Sequence, residues 1–123
     1  FKKSVPSDEG RQRQAALLAF SAFSELKQVI LVDEDVDIFD MNDVMWAMIT
    51  RMQGDIDIIN IPGVRCHPLD PSNDPSCSYT IRDHGIACKT IFDATVPYSE
   101  KKRFQRAKFM DVDPTHWVPN HKG

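Results

Sequence analysis

Apolar residues early in the chain, Ala15, Leu18, Ala19, Ala22, Phe23 and Leu26, recur at three- and four-residue spacing, the period of one helix face. The pattern predicts an amphipathic helix over about 8–26, with Ser7 or Asp8 as N-cap and Asp8 and Glu9 at the positive end of its dipole. Gln28-Val-Ile-Leu-Val32 follows. It is a β-branched run, apolar on both faces, and fits a buried strand of a parallel sheet. A second helix is expected from Met41 to about Met52, burying Val44, Met45, Met48, Ile49 and Met52. Asn42 would cap it, Arg51 sits near its C-terminal end and Gly54 ends it. A second strand over 57–61 is closed by Pro62-Gly63, and a third spans 86–93. Between them, 64–84 is rich in Pro, Ser, Asn and Asp and reads as a long loop. A short basic helix starts at Ser99 and runs to about Phe109. This order predicts an α/β fold, a three-layer sandwich with a largely parallel or mixed sheet flanked by helices. The expected organisation is a tail or linker over 1–7, one α/β domain over 8–110 and an extended arm over 111–123.

Composition narrows the classes. With 123 residues, 41% hydrophobic and 27% charged, the chain suits one globular domain and not wholesale disorder. The net charge of −3 gives no overall basic footprint for nucleic acid. The basic run Lys101-Lys-Arg-Phe-Gln-Arg-Ala-Lys108 reads as an amphipathic helix with solvated bases opposite Phe104 and Ala107. The longest apolar runs, 15–20 and 29–32, are too short to span a bilayer. No secretory start is visible, and three cysteines cannot all pair within one chain. Free thiols in a reducing cytoplasm are the expectation. Cys66, Cys77 and Cys88, with His67 and His84, lack the close Cys pairs of structural zinc sites.

The acidic stretch after the first strand invites a metal reading. Asp33, Asp35 and Asp37 alternate as in a calcium loop, but Ile38 and Val44 occupy the positions that need Gly and Glu. A magnesium-binding phosphotransfer site would draw on Asp33, Asp35 and Lys89, yet no Gly-rich phosphate loop accompanies them. Helix capping and turn solvation account for these acids more simply. The loop after the second strand is the better functional candidate, because open α/β sheets place ligand crevices at strand ends. Pro68 and Pro71 stiffen it, presenting Arg65, His67 and Leu69 as a cation, a titratable imidazole and an apolar wall.

Several of these segments together resemble a known family. Val32-Asp-Glu-Asp-Val-Asp-Ile-Phe-Asp40, Asp43-Val-Met-Trp-Ala-Met-Ile-Thr-Arg51 and Ile61-Pro-Gly-Val-Arg-Cys-His-Pro-Leu-Asp-Pro-Ser72 are similar to the C-terminal domain of UbiD-type decarboxylases. Phe92-Asp-Ala-Thr-Val-Pro97 extends the match, which covers about 9–109. The Arg65–Ser72 loop and the 12–26 helix look most like the hydroxyarylic-acid branch, the gallate and protocatechuate decarboxylases. The resemblance implies a carboxy-lyase that reversibly removes carbon dioxide from aromatic acids through prenylated FMN, with a divalent metal (Mn or Mg) and K+. It implies partners too: an N-terminal flavin domain, an aromatic acid substrate and further copies in a homo-oligomer. The family's Glu-Arg-Glu proton network and its flavin and metal ligands have no counterpart in this sequence. What carries over is the loop. His67 would face the phenolic substrate, Leu69 would wall the pocket, and Arg65, Pro68 and Asp70 would shape and support the turn. The chain alone is then expected to be inactive. A stand-alone assembly module is the alternative.

Overall fold

The computed structural model describes residues 1–76 and 84–107. Its centre is a three-stranded sheet in the order β1-β3-β2, formed by β1 (Gln28–Val32), β2 (Ile58–Arg65) and β3 (Ile86–Ala94). β1 runs parallel to β3, from Gln28 beside Thr90 to Val32 beside Ala94. β2 runs antiparallel to β3, so the sheet is mixed. Successive strand residues point to opposite faces, and each face takes one helix. Leu31 and Ile91 pack with Ala16 and Phe20 of α1 (Arg11–Ala22). On the other face Val32 and Ala94 pack with Val36 and with Val44 and Ala47 of α2 (Met41–Arg51). These are the three expected layers.

α1 buries a different face from the one that apolar spacing predicts, whereas α2 buries Val44 and packs Met48 and Met52 on the core as expected. In α1 the buried residues are Gln12, Ala16 and Phe20, while Leu17, Leu18 and Phe23 are exposed. The cause is polar. Gln12 Nε2 donates to Asp93 Oδ2 at 3.2 Å and Arg13 Nε donates to the same oxygen at 2.7 Å. Asp93 lies buried at the end of β3, so satisfying its carboxylate fixes the rotation of α1. The helix begins after Gly10, at φ +91°, and neither Ser7 nor Asp8 caps it. α2 is capped by Asp40, whose Oδ1 accepts from the Asn42 amide at 3.0 Å, instead of by Asn42. Met45 and Ile49 are exposed, and Arg51 takes a buried position on the inner face.

β2 departs from its expected bounds in both directions. A single helical turn, Gly54–Asp57, starts where an end was expected. The strand then continues through Pro62-Gly63 to Arg65 by way of a register shift between Ile61 and Val64. Gly63 sits at φ +70°, a conformation that costs glycine little. Pro62 is tolerated because β2 is an edge strand.

The segment 1–7, read as a tail or linker, is tied to the domain. Phe1 N donates to Val32 O at 2.6 Å, and buried Lys3 donates to Glu9 Oε1 and Val96 O, each at 2.9 Å. The basic helix expected from Ser99 is a 3-10 segment, Tyr98–Phe104, that follows Pro97. The arm over 111–123, Lys108 to Met110, and Cys77 lie outside the described residues. Among the described residues no helix is long and apolar enough to cross a membrane.

Candidate functional site

Loop 66–73 leaves the end of β2 and is tied down at nearly every residue. Cys66 N donates to Gly85 O at 2.6 Å. Gly85 sits at φ +74°, a backbone conformation that L side chains rarely adopt. His67 Nδ1 accepts from the Leu69 amide at 3.0 Å, and His67 O accepts from Asn73 Nδ2 at 3.0 Å. Asp70 caps the 3-10 turn Pro71–Asn73, accepting from the Ser72 amide at 2.9 Å and its hydroxyl at 2.7 Å. Lys27 Nζ donates to Asp70 Oδ2 at 2.8 Å and also to Ser72 Oγ. The Lys27 partner, helped by both Ser72 donors, holds the Asp70 carboxyl down at about 2.

The platform under this loop is the connection between α1 and β1. Lys89 Nζ, on the central strand, donates to Ser24 O and Leu26 O at 2.6 Å each and lies 5.3 Å from the Phe20 ring centre. Between these anchored carbonyls, Glu25 O accepts from buried Cys66 Sγ at 3.6 Å, and Glu25 Oε1 stands 3.6 Å from His67 Nε2. His67 is therefore half-buried on a braced loop, while Leu69 projects beside it at 82% exposure. The structure brings His67, Pro68, Leu69 and Asp70 into one turn. Arg65 instead turns back to donate to His84 O at 3.3 Å. Sequence reasoning missed Glu25, Lys27 and Asn73. The only sequence signal for Glu25 and Lys27 is that they flank Leu26 as two charged residues between a helix and a strand.

The acidic stretch forms a different kind of cluster. Arg51 Nη1 donates to Asp33 Oδ2 at 2.9 Å and to Asp35 Oδ1 at 2.7 Å, and Arg51 Nη2 donates to Asp35 Oδ2 at 2.7 Å. Burial pushes the Asp33 carboxyl up, whereas hydrogen bonds from Arg51 hold Asp35 down. Arg106 pairs with both oxygens of Asp43 and lies 4.2 Å from the Trp46 ring centre; Arg51 lies 5.0 Å from the same ring. A cavity of about 580 Å³ opens beside them, lined by Asp33, Glu34, Asp35, Arg51, Lys101 and Arg106. Its charges already satisfy one another, Glu34 and Lys101 included, at 3.7 Å. Lys89 lies with Phe20 on the α1 face of the sheet, away from Asp33 and Asp35. The magnesium phosphotransfer reading thus loses its lysine. Among the described residues no group of three His, Cys, Asp or Glu is placed to hold a metal ion. Cys66 is buried and Cys88 exposed, both as free thiols.

Comparison with known proteins matches this architecture. Residues 1–94 fit the family model of the 3-octaprenyl-4-hydroxybenzoate carboxy-lyase C-terminal domain. The gallate decarboxylase of Lactiplantibacillus plantarum is 60% identical over 111 residues, covering 89% of this chain and 23% of that protein. The apo structure of a 3,4-dihydroxybenzoic acid decarboxylase from Enterobacter cloacae superposes with a TM-score of 0.84 at 64% identity. It covers 96% of this chain and 24% of its own. A UbiD-class enzyme from Pelotomaculum thermopropionicum, in complex with FMN, gives a TM-score of 0.74 at 29% identity over 94% of this chain and 24% of its own. The chain thus spans about a quarter of the length of the proteins it matches. On its match over residues 1–94 and its 60% identity to the gallate decarboxylase, the chain belongs to the UbiD decarboxylase family, as the C-terminal domain of that family.

Proposed function

We propose that this chain is part of a non-oxidative decarboxylase of hydroxybenzoate-type acids, gallate-like or 3,4-dihydroxybenzoate-like, and supplies one wall of the substrate pocket. The observation that carries the reading is the pairing of exposed Leu69 with half-exposed His67 on a loop whose backbone and flanks are hydrogen-bonded throughout. A single exposed leucine is ordinary. A leucine and an imidazole presented side by side on a pre-organised turn form a surface suited to an aromatic ring bearing hydroxyl groups. The gallate and 3,4-dihydroxybenzoic acid decarboxylases among the matches support that substrate class.

In this reading Leu69 lies against the substrate ring, and the His67 imidazole hydrogen-bonds a ring hydroxyl. Pro68 and Asp70 hold the turn, and Arg65 secures its far side through His84 O. Prenylated FMN, with its divalent metal and K+, would supply the electron sink for loss of carbon dioxide. The described residues of this chain do not fit that group. Among them no metal-binding cluster is placed, and the acids and bases that line the 580 Å³ cavity are engaged with one another, Asp33 and Asp35 with Arg51 and Glu34 with Lys101. The flavin is assigned to an N-terminal domain, and this chain alone is expected to turn over no acid. Self-association belongs to the same proposal. Met41, Met45 and Ile49 form an exposed apolar stripe on α2, continued by Ile38 and Phe39. A cytoplasmic setting goes with it, on the ground of the odd cysteine count.

The test is His67→Ala in the full-length enzyme. Loss of a hydrogen bond to the reacting substrate lowers kcat/KM for 3,4-dihydroxybenzoate by about tenfold or more, which is ~1.4 kcal/mol. Unchanged kinetics would remove His67 from the site.

A further inference from the structure

We infer that Glu25 is a positioning residue for His67: it orients the imidazole in the tautomer whose Nε2 carries the proton, aimed as a hydrogen-bond donor. The kinetic side of this inference rests on the proposed pocket role of His67; the geometric side does not. A neutral imidazole has one N–H donor and one lone-pair acceptor. The Leu69 amide donates to Nδ1 at 3.0 Å, so the lone pair is at Nδ1 and the proton at Nε2. Nε2 faces Glu25 Oε1 at 3.6 Å. The Leu69 bond is solvent-exposed, and an exposed hydrogen bond of this kind contributes only modestly against competing water. One such bond leaves other ring states populated. A carboxylate at the opposite nitrogen supplies the second fixed point, as carboxylates do for metal-bound and catalytic histidines.

Glu25 is suited to this because its own backbone is held. Lys89, 1% exposed, grips the carbonyls on either side of it, and Cys66 Sγ contacts its carbonyl oxygen. The other charged groups near the loop are engaged elsewhere. Asp70 is taken by Lys27 and Ser72, Asp74 stands 3.6 Å from His84, and Arg65 donates to His84 O. Among the described residues, Glu25 is the carboxylate within ion-pairing distance of His67. At 3.6 Å the contact is longer than a closed hydrogen bond. The Nε2–H is therefore aimed without being saturated, and an incoming ring hydroxyl oxygen can accept it. Neither local spacing nor the loop motif announces this pair, because Glu25 and His67 come from separate segments.

The experiment uses the full-length enzyme with 15N-imidazole histidine, His67→Ala serving to assign the His67 signals. The wild type is expected to show His67 as the Nε2–H tautomer. Glu25→Ala is expected to give a mixture with a substantial Nδ1–H fraction, and Glu25→Gln, which keeps an acceptor oxygen, to restore the single tautomer. With 3,4-dihydroxybenzoate, Glu25→Ala should lower kcat/KM by about fivefold, and Glu25→Gln should recover most of that loss. The double variant His67→Ala with Glu25→Ala should be no slower than His67→Ala alone. A tautomer unchanged in Glu25→Ala, or kinetic losses that simply multiply in the double variant, would overturn the inference. If His67→Ala costs no activity, the pocket role falls, and the tautomer measurement still decides the positioning role.

Discussion

Asp70 and Lys27 show how much of the loop rests on one pair of side chains. The Asp70 carboxyl is held at about 2, below its ordinary 3.8, chiefly by the Lys27 donor. A folded-state value below the unfolded one means that the bracing is fully present above pH ~3.8 and fades as the pH falls toward ~2. Carboxyl titration by NMR should therefore give a midpoint near 2 for Asp70, and Lys27→Ala should return it toward 3.8. A midpoint already at 3.8 in the wild type would show that the pair does not form. The loop's chemistry was legible at this scale. Proline stiffening and an exposed imidazole mark Arg65 to Asp70 in the sequence. The supports were not, because Glu25 and Lys27 reach the loop, and Lys89 holds the segment that carries Glu25, through tertiary contacts that no local period encodes.

At the scale of elements, strand and helix positions followed from apolar periodicity, the orientation of α2 followed in part, through Val44, Met48 and Met52, and that of α1 did not. Leu18 and Phe23 belong to the expected apolar face of α1 yet are exposed. A buried carboxylate with several donors outweighs them. Burial works against the charge of Asp93, but Thr95, Arg13 and Gln12 hold its carboxyl below the usual range. Removing it by Asp93→Ala takes an acceptor from Gln12, Arg13 and the Thr95 hydroxyl together. We expect a loss of roughly 2–4 kcal/mol in urea unfolding of the chain. A loss under 0.5 kcal/mol would show that apolar contacts alone orient α1. The same limit explains α2, where Arg51 points inward to Asp33 and Asp35 while Met45 and Ile49 face out. β2 was misjudged for another reason. Pro62-Gly63 reads as a stop, but an edge strand absorbs both through a bulge.

For the molecule as a whole, the sandwich of α1, a mixed sheet and α2 places loop 66–73 and the connection that carries Glu25 side by side. The acidic Arg51 cluster is built on the other face, around α2. That division separates a surface offering an imidazole and a leucine from one whose charges are already paired. The order of motifs made the family legible from sequence. The division of labour between the faces needed the sheet register, with Leu31 and Val32 pointing opposite ways. The chain spans about a quarter of the matched proteins, so on the proposed reading it supplies one wall, and the rest of the pocket is built by other parts of the full-length enzyme. The central claim is that this wall touches substrate. The most direct measurement is a crystal structure of the full-length enzyme with bound 3,4-dihydroxybenzoate. The account predicts His67 within about 2.6–3.2 Å of a ring hydroxyl and Leu69 in van der Waals contact with the ring. A substrate bound with loop 66–73 facing away from it would contradict the account.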